Sequence, residues 1–102
     1  LCEHFLLLDE GVPMATSRMI EFDTDTVKFQ RIAVLKSKRS LGYGKAMLLF
    51  MEKAAKSHGY KYVVLDAQTN SRVFYEKSGY EAESENIFYD ANIPHVRMRK
   101  TL

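Results

Sequence analysis

Short apolar runs separated by polar turns occupy the first third of the chain. Residues 4–9 are mostly apolar and end at Glu10-Gly11, and residues 12–22 follow with a looser alternation of apolar and polar positions. The polar turn Asp23-Thr24-Asp25 precedes a third run over residues 26–35. Runs of this length bounded by turn residues are typical of β-strands. The pattern predicts three sequential strands that pair as an antiparallel meander.

The spacing of apolar residues becomes helical over residues 41–58. Apolar residues fall at positions 47, 50, 51 and 54 and again at 48 and 55, and Gly59 is placed to end the helix. Residues 60–67 then contain Tyr-Val-Val-Leu, which is typical of a strand buried on both faces and parallel to its neighbour. In such a right-handed strand-helix-strand unit, ligands lie beyond the carboxyl ends of the strands.

The last third of the chain predicts one more helix and two closing strands. Residues 70–77 form the helix, with Asn70 or Ser71 as its N-cap and Gly79 as its stop. Residues 80–89 and 95–101 form the strands. The element order predicts a single domain over residues 1–102 that combines a mixed sheet with two helices.

The composition and net charge of the chain argue against several classes of function. The 102 residues are 46% hydrophobic and 27% charged, as in an ordinary globular domain, and the net charge of +2 is too small to indicate a nucleic-acid partner. The single cysteine, Cys2, favours a reducing compartment, and no signal peptide or long apolar run indicates export or a membrane. We therefore expect a cytoplasmic protein. Three scattered histidines and one cysteine do not predict a metal site.

The segment Arg39-Ser40-Leu41-Gly42-Tyr43-Gly44-Lys45 lies between a predicted strand and the long helix. The free N–H groups of a helix N-terminus, together with the helix dipole, favour phosphate, and one glycine suits a positive φ while another lets a ligand approach the backbone. Ordinary turn chemistry explains the glycines equally well. The spacing excludes a Walker loop and a Rossmann fingerprint, because Ala46 follows Lys45 and Met47 stands where a third glycine is needed.

Three motifs occur in the order found in one enzyme superfamily. They are the Arg-x-x-Gly-x-Gly of the loop, the segment Gln68-x-x-Ser71-x-x-Phe74-Tyr75-Glu76-Lys77-x-Gly79-Tyr80, and the near-terminal Ile93-Pro94-His95-x-x-Met98. From His4 onward the chain resembles the GCN5-related N-acetyltransferases (GNAT), and within them a small subgroup with the Ile-Pro-His-x-x-Met motif. The resemblance implies a central mixed, mostly antiparallel sheet with flanking helices, of which the N-terminal strand and helices are missing here.

The resemblance also implies acetyl-CoA as cosubstrate and no metal. The pyrophosphate would bind the loop, the pantetheine arm would follow the third strand, and two further residues would contact the cofactor. The implied cofactor-binding residues are Ile32, Ala33, Val34, Arg39, Ser40, Leu41, Gly42, Tyr43, Gly44, Lys45, Gln68 and Tyr75.

For catalysis, a phenol with a pKa near 10 is a reasonable proton donor to a departing thiolate, and the motif places Tyr75 in that role. Relatives often have a glutamate where this chain has Gln30, which cannot act as a base. Asp66 lies at the right strand end but equally suits an exposed terminus. His95 could accept the proton of an amine, or it could fix the turn after Pro94 by a hydrogen bond.

The predicted function is acetyl-CoA-dependent transfer of an acetyl group to a primary amine, by direct attack without a covalent enzyme intermediate. Two alternatives stay open: a non-catalytic acyl-CoA sensor, which the presence of Gln30 suggests, and an interaction domain that does not bind coenzyme A. The acceptor, a small-molecule or peptide amine, is not specified by the sequence. Closing strands of this type often pair between subunits, so a homodimer is one expectation.

Overall fold

The computed structural model describes residues 1–38 and 41–102. In this part of the chain, seven strands form one sheet in the order β1-β2-β3-β4-β7-β5, and β6 also pairs with β7. The strands are β1 (Cys2–Asp9), β2 (Val12–Glu21), β3 (Thr26–Val34), β4 (Tyr62–Gln68), β5 (Glu81–Ala82), β6 (Phe88–Asp90) and β7 (Ile93–Thr101). The helices are α1 (Tyr43–Ser57) and α2 (Arg72–Lys77), with short 3-10 helices at Lys36–Lys38 and Thr69–Ser71.

The sheet is mixed and mostly antiparallel, as predicted. The strands β1, β2 and β3 form the antiparallel meander, β4 is parallel to β3, and β7 is antiparallel to β4. Gly59 has a φ of 91° immediately after the last turn of α1, which is the left-handed conformation expected of a glycine that ends a helix. Among the residues that the structure describes, neither helix is long and apolar enough to cross a membrane.

The core lies between α1 and one face of the sheet. Alternate residues of the strands point toward α1, so the period-two pattern of β2, β3, β4 and β7 meets the helical pattern of α1. The opposite face of the sheet carries mostly polar and charged side chains at its centre. The core comprises Ala15, Met19, Val27, Phe29, Met47, Leu48, Met51, Ala55, Val63, Leu65, Ala67, Tyr80, Val96 and Met98.

The prediction of one continuous strand over residues 80–89 is wrong. The segment instead contains β5 and β6, both paired with β7 but separated by the polar sequence Glu83-Ser84-Glu85-Asn86. Arg72 of α2 binds the carboxylate of Glu85 through both terminal guanidinium nitrogens, at 2.9 and 3.0 Å. This pair accompanies a loop that leaves the sheet, where one continuous strand was predicted.

A polar network lies inside the core behind α2. Glu52 of α1 is 9% exposed, and its carboxylate accepts a hydrogen bond of 2.7 Å from the Tyr80 hydroxyl and one of 3.0 Å from Lys100 Nζ. Burial, and then the bond to Glu52, raise the pKa of Tyr80, so its phenol keeps the proton that it donates. The network joins α1, the segment after α2 and β7, and so fixes the wall against which α2 packs.

We expect Tyr80→Phe to lower the free energy of unfolding by about 1.5 kcal/mol, because a buried hydrogen bond to a charged group is lost while Lys100 still pairs with Glu52. Tyr60→Phe is the matched control. Its hydroxyl donates to Glu21 at the same 2.7 Å, but the pair is exposed to solvent, so we expect a loss below about 0.5 kcal/mol. Urea unfolding of both variants measures the difference, and equal losses would show that burial gives the Glu52 network no advantage.

Candidate active site

The strands β3 and β4 separate at one end of the sheet. They pair in register only from Thr26 with Tyr62 to Phe29 with Leu65. Beyond that point β3 continues along β2, where Val34 pairs with Ala15, and β4 continues along β7, where Gln68 pairs with His95. The two strand edges that face each other across this gap therefore keep backbone groups that a ligand can bind.

A β-bulge accounts for the divergence. Arg18 pairs with Gln30 but Thr16 pairs with Ala33, so Ser17 lies opposite two residues of β3. One of these, Arg31, has a φ of 55°, which is uncommon for a residue other than glycine and unfavourable by about 1 kcal/mol or more. A bulge bends its strand and increases its twist. The bend directs the last residues of β3 along β2 and away from β4.

The gap opens into a cavity of about 1020 Å³. It contains most of the residues predicted from the sequence, although they are spread over more than sixty positions of the chain. Leu41 and Tyr43 do not line it, and Arg39 and Ser40 lie outside the described residues. The predicted residues that line the cavity are Ile32, Ala33, Val34, Gly42, Gly44, Lys45, Gln68, Tyr75 and His95.

Helix α1 begins at the mouth of this cavity. Its N-cap, Gly42, has a φ of 86° and no side chain to cap the helix, and the first helical hydrogen bond runs from the Ala46 N–H to the Gly42 carbonyl at 3.0 Å. The N–H groups of Tyr43, Gly44 and Lys45 make no backbone hydrogen bond to another described residue. Donors grouped at the positive end of a helix of 15 residues form a suitable site for an anion.

The two glycines have different structural roles. Gly42 provides the positive φ that the turn needs, as predicted. A Cβ on Gly44 would lie 3.4 Å from Phe74 Cζ and 3.6 Å from Val34 Cγ2. These distances are ordinary van der Waals contacts, so, unlike Gly42, Gly44 is not required to be glycine by its own backbone conformation or by packing against β3 and α2.

The side chain of Tyr43 points away from the cavity. Its hydroxyl donates a hydrogen bond of 2.6 Å to Asp9 at the end of β1. This bond, with smaller contributions from desolvation and neighbouring charge, raises the pKa of Tyr43. If Tyr43 contacts a cofactor, it does so through its backbone.

Tyr75 lies at the wall of the cavity, with its ring held by neighbouring aromatic side chains. It lies on α2, lines the cavity, and packs edge-to-face against Phe74 and Tyr80, with centroids at 5.1 and 5.8 Å. Its hydroxyl makes no hydrogen bond to any residue that the structure describes. Burial raises the pKa of Tyr75, so the phenol is protonated at neutral pH and its proton is available to a group in the cavity.

The ring of His95 is held in one orientation. Its Nδ1 lies 2.8 Å from the Ile93 carbonyl oxygen, and the ring stacks on Phe88 with centroids 5.8 Å apart. Because a carbonyl only accepts, Nδ1 carries the hydrogen, and the neutral ring keeps its lone pair on Nε2. The hydrogen bond from Nδ1 fixes the turn, as predicted for one of the two alternatives. This bond leaves Nε2 able to accept a proton.

Asp66 is engaged in an ion-pair network that sequence reasoning missed. Its carboxylate is 3.0 Å from Lys28 Nζ and 2.8 Å from Arg97 Nε. Burial alone raises the pKa of Asp66, but the bonds and charges of Arg97 and Lys28 together outweigh burial and lower it. Asp66 is a poor base, because its lone pairs are occupied and its proton affinity is reduced.

The side chain of Gln30 is also held by hydrogen bonds, since its Oε1 accepts from Nε and Nη2 of Arg18. No local signal in the sequence marks the contacts of Gln30 or Asp66, because each depends on the register between distant strands. In the described part of the chain, no group of three His, Cys, Asp or Glu side chains is arranged to hold a metal ion.

Comparison with known proteins gives consistent matches over almost the whole chain. The family described as "Acetyltransferase (GNAT) domain" matches residues 3–102. An uncharacterized N-acetyltransferase of Bacillus subtilis, YjcF, is 42% identical over 98 residues, which cover 96% of this chain and 69% of the relative. Other curated relatives are covered to 66% and 67%, so the chain spans about two thirds of their length.

Solved structures agree in fold. A crystal structure from Lactobacillus plantarum, provisionally assigned as an N-acetyltransferase, has a TM-score of 0.91 at 25% identity and covers 99% of this chain and 69% of its own. A GNAT family acetyltransferase from Elizabethkingia anophelis with acetyl-CoA bound has a TM-score of 0.82 at 17% identity, covering 99% of this chain and 76% of its own. The second match is at the level of fold alone.

Proposed function

This chain belongs to the acetyltransferase (GNAT) domain family, and from that premise we propose that it binds acetyl-CoA and transfers the acetyl group directly to a primary amine. The observation that carries the proposal is the gap beyond Phe29 and Leu65. It brings a strand edge, the start of α1 and the Tyr75 phenol to one cavity. Acyl transfer from a long thioester needs these three features together.

The cavity offers a distinct place for each part of the cofactor. The N–H groups at the start of α1 and the ammonium of Lys45 suit the pyrophosphate. The free edge of β3 at Ile32, Ala33 and Val34 suits the amides of the pantetheine arm, which would add to the sheet as a peptide strand does. With the cofactor held in this way, the thioester would lie toward Tyr75 and His95, which line the same cavity. Gln68, at the end of β4, lies on the facing edge.

In the proposed reaction, the amine nitrogen attacks the thioester carbonyl carbon, a C–N bond forms and the C–S bond breaks. His95 Nε2 takes one proton from the bound ammonium before the attack, the phenolic proton of Tyr75 goes to the departing sulfur, and the resulting phenolate regains a proton from the attacking nitrogen. With ordinary pKa values of about 10 and 8.5, transfer of the phenolic proton to the thiolate is uphill by about 2 kcal/mol, and the raised pKa of Tyr75 adds to this cost. The gain from holding both reactants together is larger, on the order of 7 kcal/mol or more. Cys2 does not line the cavity and has no role in this scheme.

Two measurements on one preparation test the proposal. Acetyl-CoA at a hundred times its dissociation constant should stabilise the protein by about 2.7 kcal/mol, and thiol release should follow addition of members of an amine panel. Stabilisation without thiol release from any amine would favour the acyl-CoA sensor that Gln30 suggests. The absence of both effects would leave an interaction domain.

We expect Gly42→Ala to weaken coenzyme A binding about tenfold, because a residue with a Cβ resists the φ of 86° and displaces the amides at the start of α1. Gly59→Ala is the matched control, since Gly59 has a φ of 91° at the other end of the same helix and its Cβ would also meet open space. Both variants should lose about 1 kcal/mol of stability. Calorimetric titration with coenzyme A separates them, and equal affinities would contradict a cofactor role for the loop.

A further inference from the structure

Two arginines lie where the main cavity meets a smaller one. Arg18 of β2 and Arg31 of the β3 bulge line both the cavity of about 1020 Å³ and a second cavity of about 320 Å³. The bulge creates this position, because its irregular pairing brings Arg31 beside β2 at the end of the regular ladder. The larger cavity contains the proposed acetyl-transfer groups, so the arginines lie at the border of the reaction site.

Neither guanidinium is neutralised by a described residue. Arg18 is bound by the neutral amide of Gln30, and Arg31 is exposed and takes part in no described ion pair. Nearby cations differ, because Lys28 and Arg97 both bind Asp66. A guanidinium has five N–H donors, so one that is bound by a single amide oxygen has donors to spare.

The second cavity has no acidic lining residue among those described. Its polar groups are the hydroxyls of Thr16 and Ser17 and the imidazole of His4, and Phe5 and Leu6 provide apolar surface. In the main cavity Asp66 is already paired, and Asp90 lies on β6, which is separated from β3 by β4 and β7. The side of the site formed by β2 and β3 is therefore cationic and is supplied with hydrogen-bond donors.

Building on the proposed function, we propose that the acceptor is a small amine that carries a carboxylate, such as an amino acid, and that Arg18 and Arg31 bind this carboxylate. Guanidinium and carboxylate form short paired hydrogen bonds, which orient the acceptor as well as attract it. The amine would then lie in the main cavity near Tyr75 and His95. Polycationic acceptors such as polyamines and aminoglycosides are disfavoured by the same charges.

The two arginines would also increase the fraction of the bound acceptor that is a neutral amine. A positive environment disfavours the ammonium form of a bound amine and so lowers its pKa, and each unit gives about ten times more of the neutral nucleophile below that pKa. This effect reduces the need for a carboxylate base, which Gln30 cannot supply. The neutral amide of Gln30 and the two arginines without an ion-pair partner among the described residues thus act in the same direction.

The test compares amino acids with their carboxamides, and both with spermidine, at equal concentrations of the neutral amine. We expect the native protein to show a kcat/KM at least tenfold higher for the carboxylate member of each pair. Arg18→Gln and Arg31→Asn should remove this preference. Asparagine is chosen because it tolerates the positive φ of Arg31. Arg18→Lys should retain part of it, since the charge remains but the paired geometry is lost.

Arg99→Gln is the matched charge control. Arg99 lies over the Tyr62 ring at 4.2 Å and lines neither cavity, so its loss should leave the preference intact. Equal rates with acids and amides, a preference for spermidine, or an equal effect of Arg99→Gln would overturn the proposal.

Binding separates this inference from the proposed function. Titration of amino acids into the protein saturated with coenzyme A should give an affinity that falls about tenfold in Arg31→Asn. If that binding is seen but no amine releases thiol, the carboxylate site stands and acetyl transfer fails. If thiol is released while amino-acid binding is absent or independent of both arginines, acetyl transfer stands and the carboxylate site fails.

Discussion

Replacement of Tyr75 by phenylalanine is expected to lower kcat by about 10²- to 10³-fold and to leave KM for acetyl-CoA within about twofold. The phenol is needed only when the thiolate departs, so its loss affects the transition state more than cofactor binding. Stability should change by less than about 0.5 kcal/mol, because the hydroxyl has no described hydrogen-bond partner and the ring contacts with Phe74 and Tyr80 are kept. Steady-state kinetics of thiol release and a urea titration measure the two quantities.

Tyr80→Phe is the control for this substitution. Its ring packs directly on Tyr75, but its hydroxyl donates to Glu52 and it does not line the cavity. We expect it to lose stability and to keep most of its kcat, the reverse of Tyr75→Phe. A Tyr75→Phe protein with native kcat would remove the phenol from the mechanism.

The pH dependence gives a second check on Tyr75. Burial raises its pKa above the ordinary value of about 10. A proton donor is active below its pKa, so Tyr75 should cause no loss of rate between about pH 7 and 9, and a decline only as pH rises through the raised value. Tyr75→Phe should lack that decline. A decline near pH 8 that disappears in the variant would contradict the assignment.

The parts of the fold that were predicted correctly follow from local patterns. The meander, α1 and the parallel strand β4 depend on apolar spacing within one segment and on turn residues such as Gly59. The strand prediction over residues 80–89 was wrong because the structure there depends on a contact between two segments. One continuous strand was predicted there, but the pair between Arg72 and Glu85 accompanies a loop that departs from the sheet. That contact joins two segments and has no signature within either one.

The candidate site also combines residues that local motifs predicted with residues whose positions depend on the pairing of distant strands. The motifs located Gly42, Tyr75 and His95, which the fold brings to one cavity. The bulge at Arg31 could not be predicted, because a residue with a Cβ at positive φ gives no glycine signal. The engagement of Asp66 also depends on which residues face each other across the sheet, which the sequence does not specify.

The second large effect is expected at His95, whose two nitrogens can be tested separately. Asparagine can place its amide N–H near the position of Nδ1 and so keep the bond to the Ile93 carbonyl, but it has no group in place of Nε2. His95→Asn should therefore fold as the native protein does and lose about 10²-fold in kcat/KM at pH 7. His95→Gln gives up the bond to Ile93, so we expect a loss of about 1 kcal/mol in stability as well.

The decisive feature is how the defect of His95→Asn changes with pH. A base is needed because the acceptor arrives as an ammonium. The neutral fraction rises tenfold per pH unit until the amine pKa is reached, which is near 8 for the α-amino group of a peptide and near 10.4 for a lysine side chain. The ratio of native to variant kcat/KM should therefore shrink as pH rises from 7 toward that pKa. A ratio that stays constant across this range would mean that His95 only orients the turn, since a purely structural loss does not depend on the protonation of the acceptor.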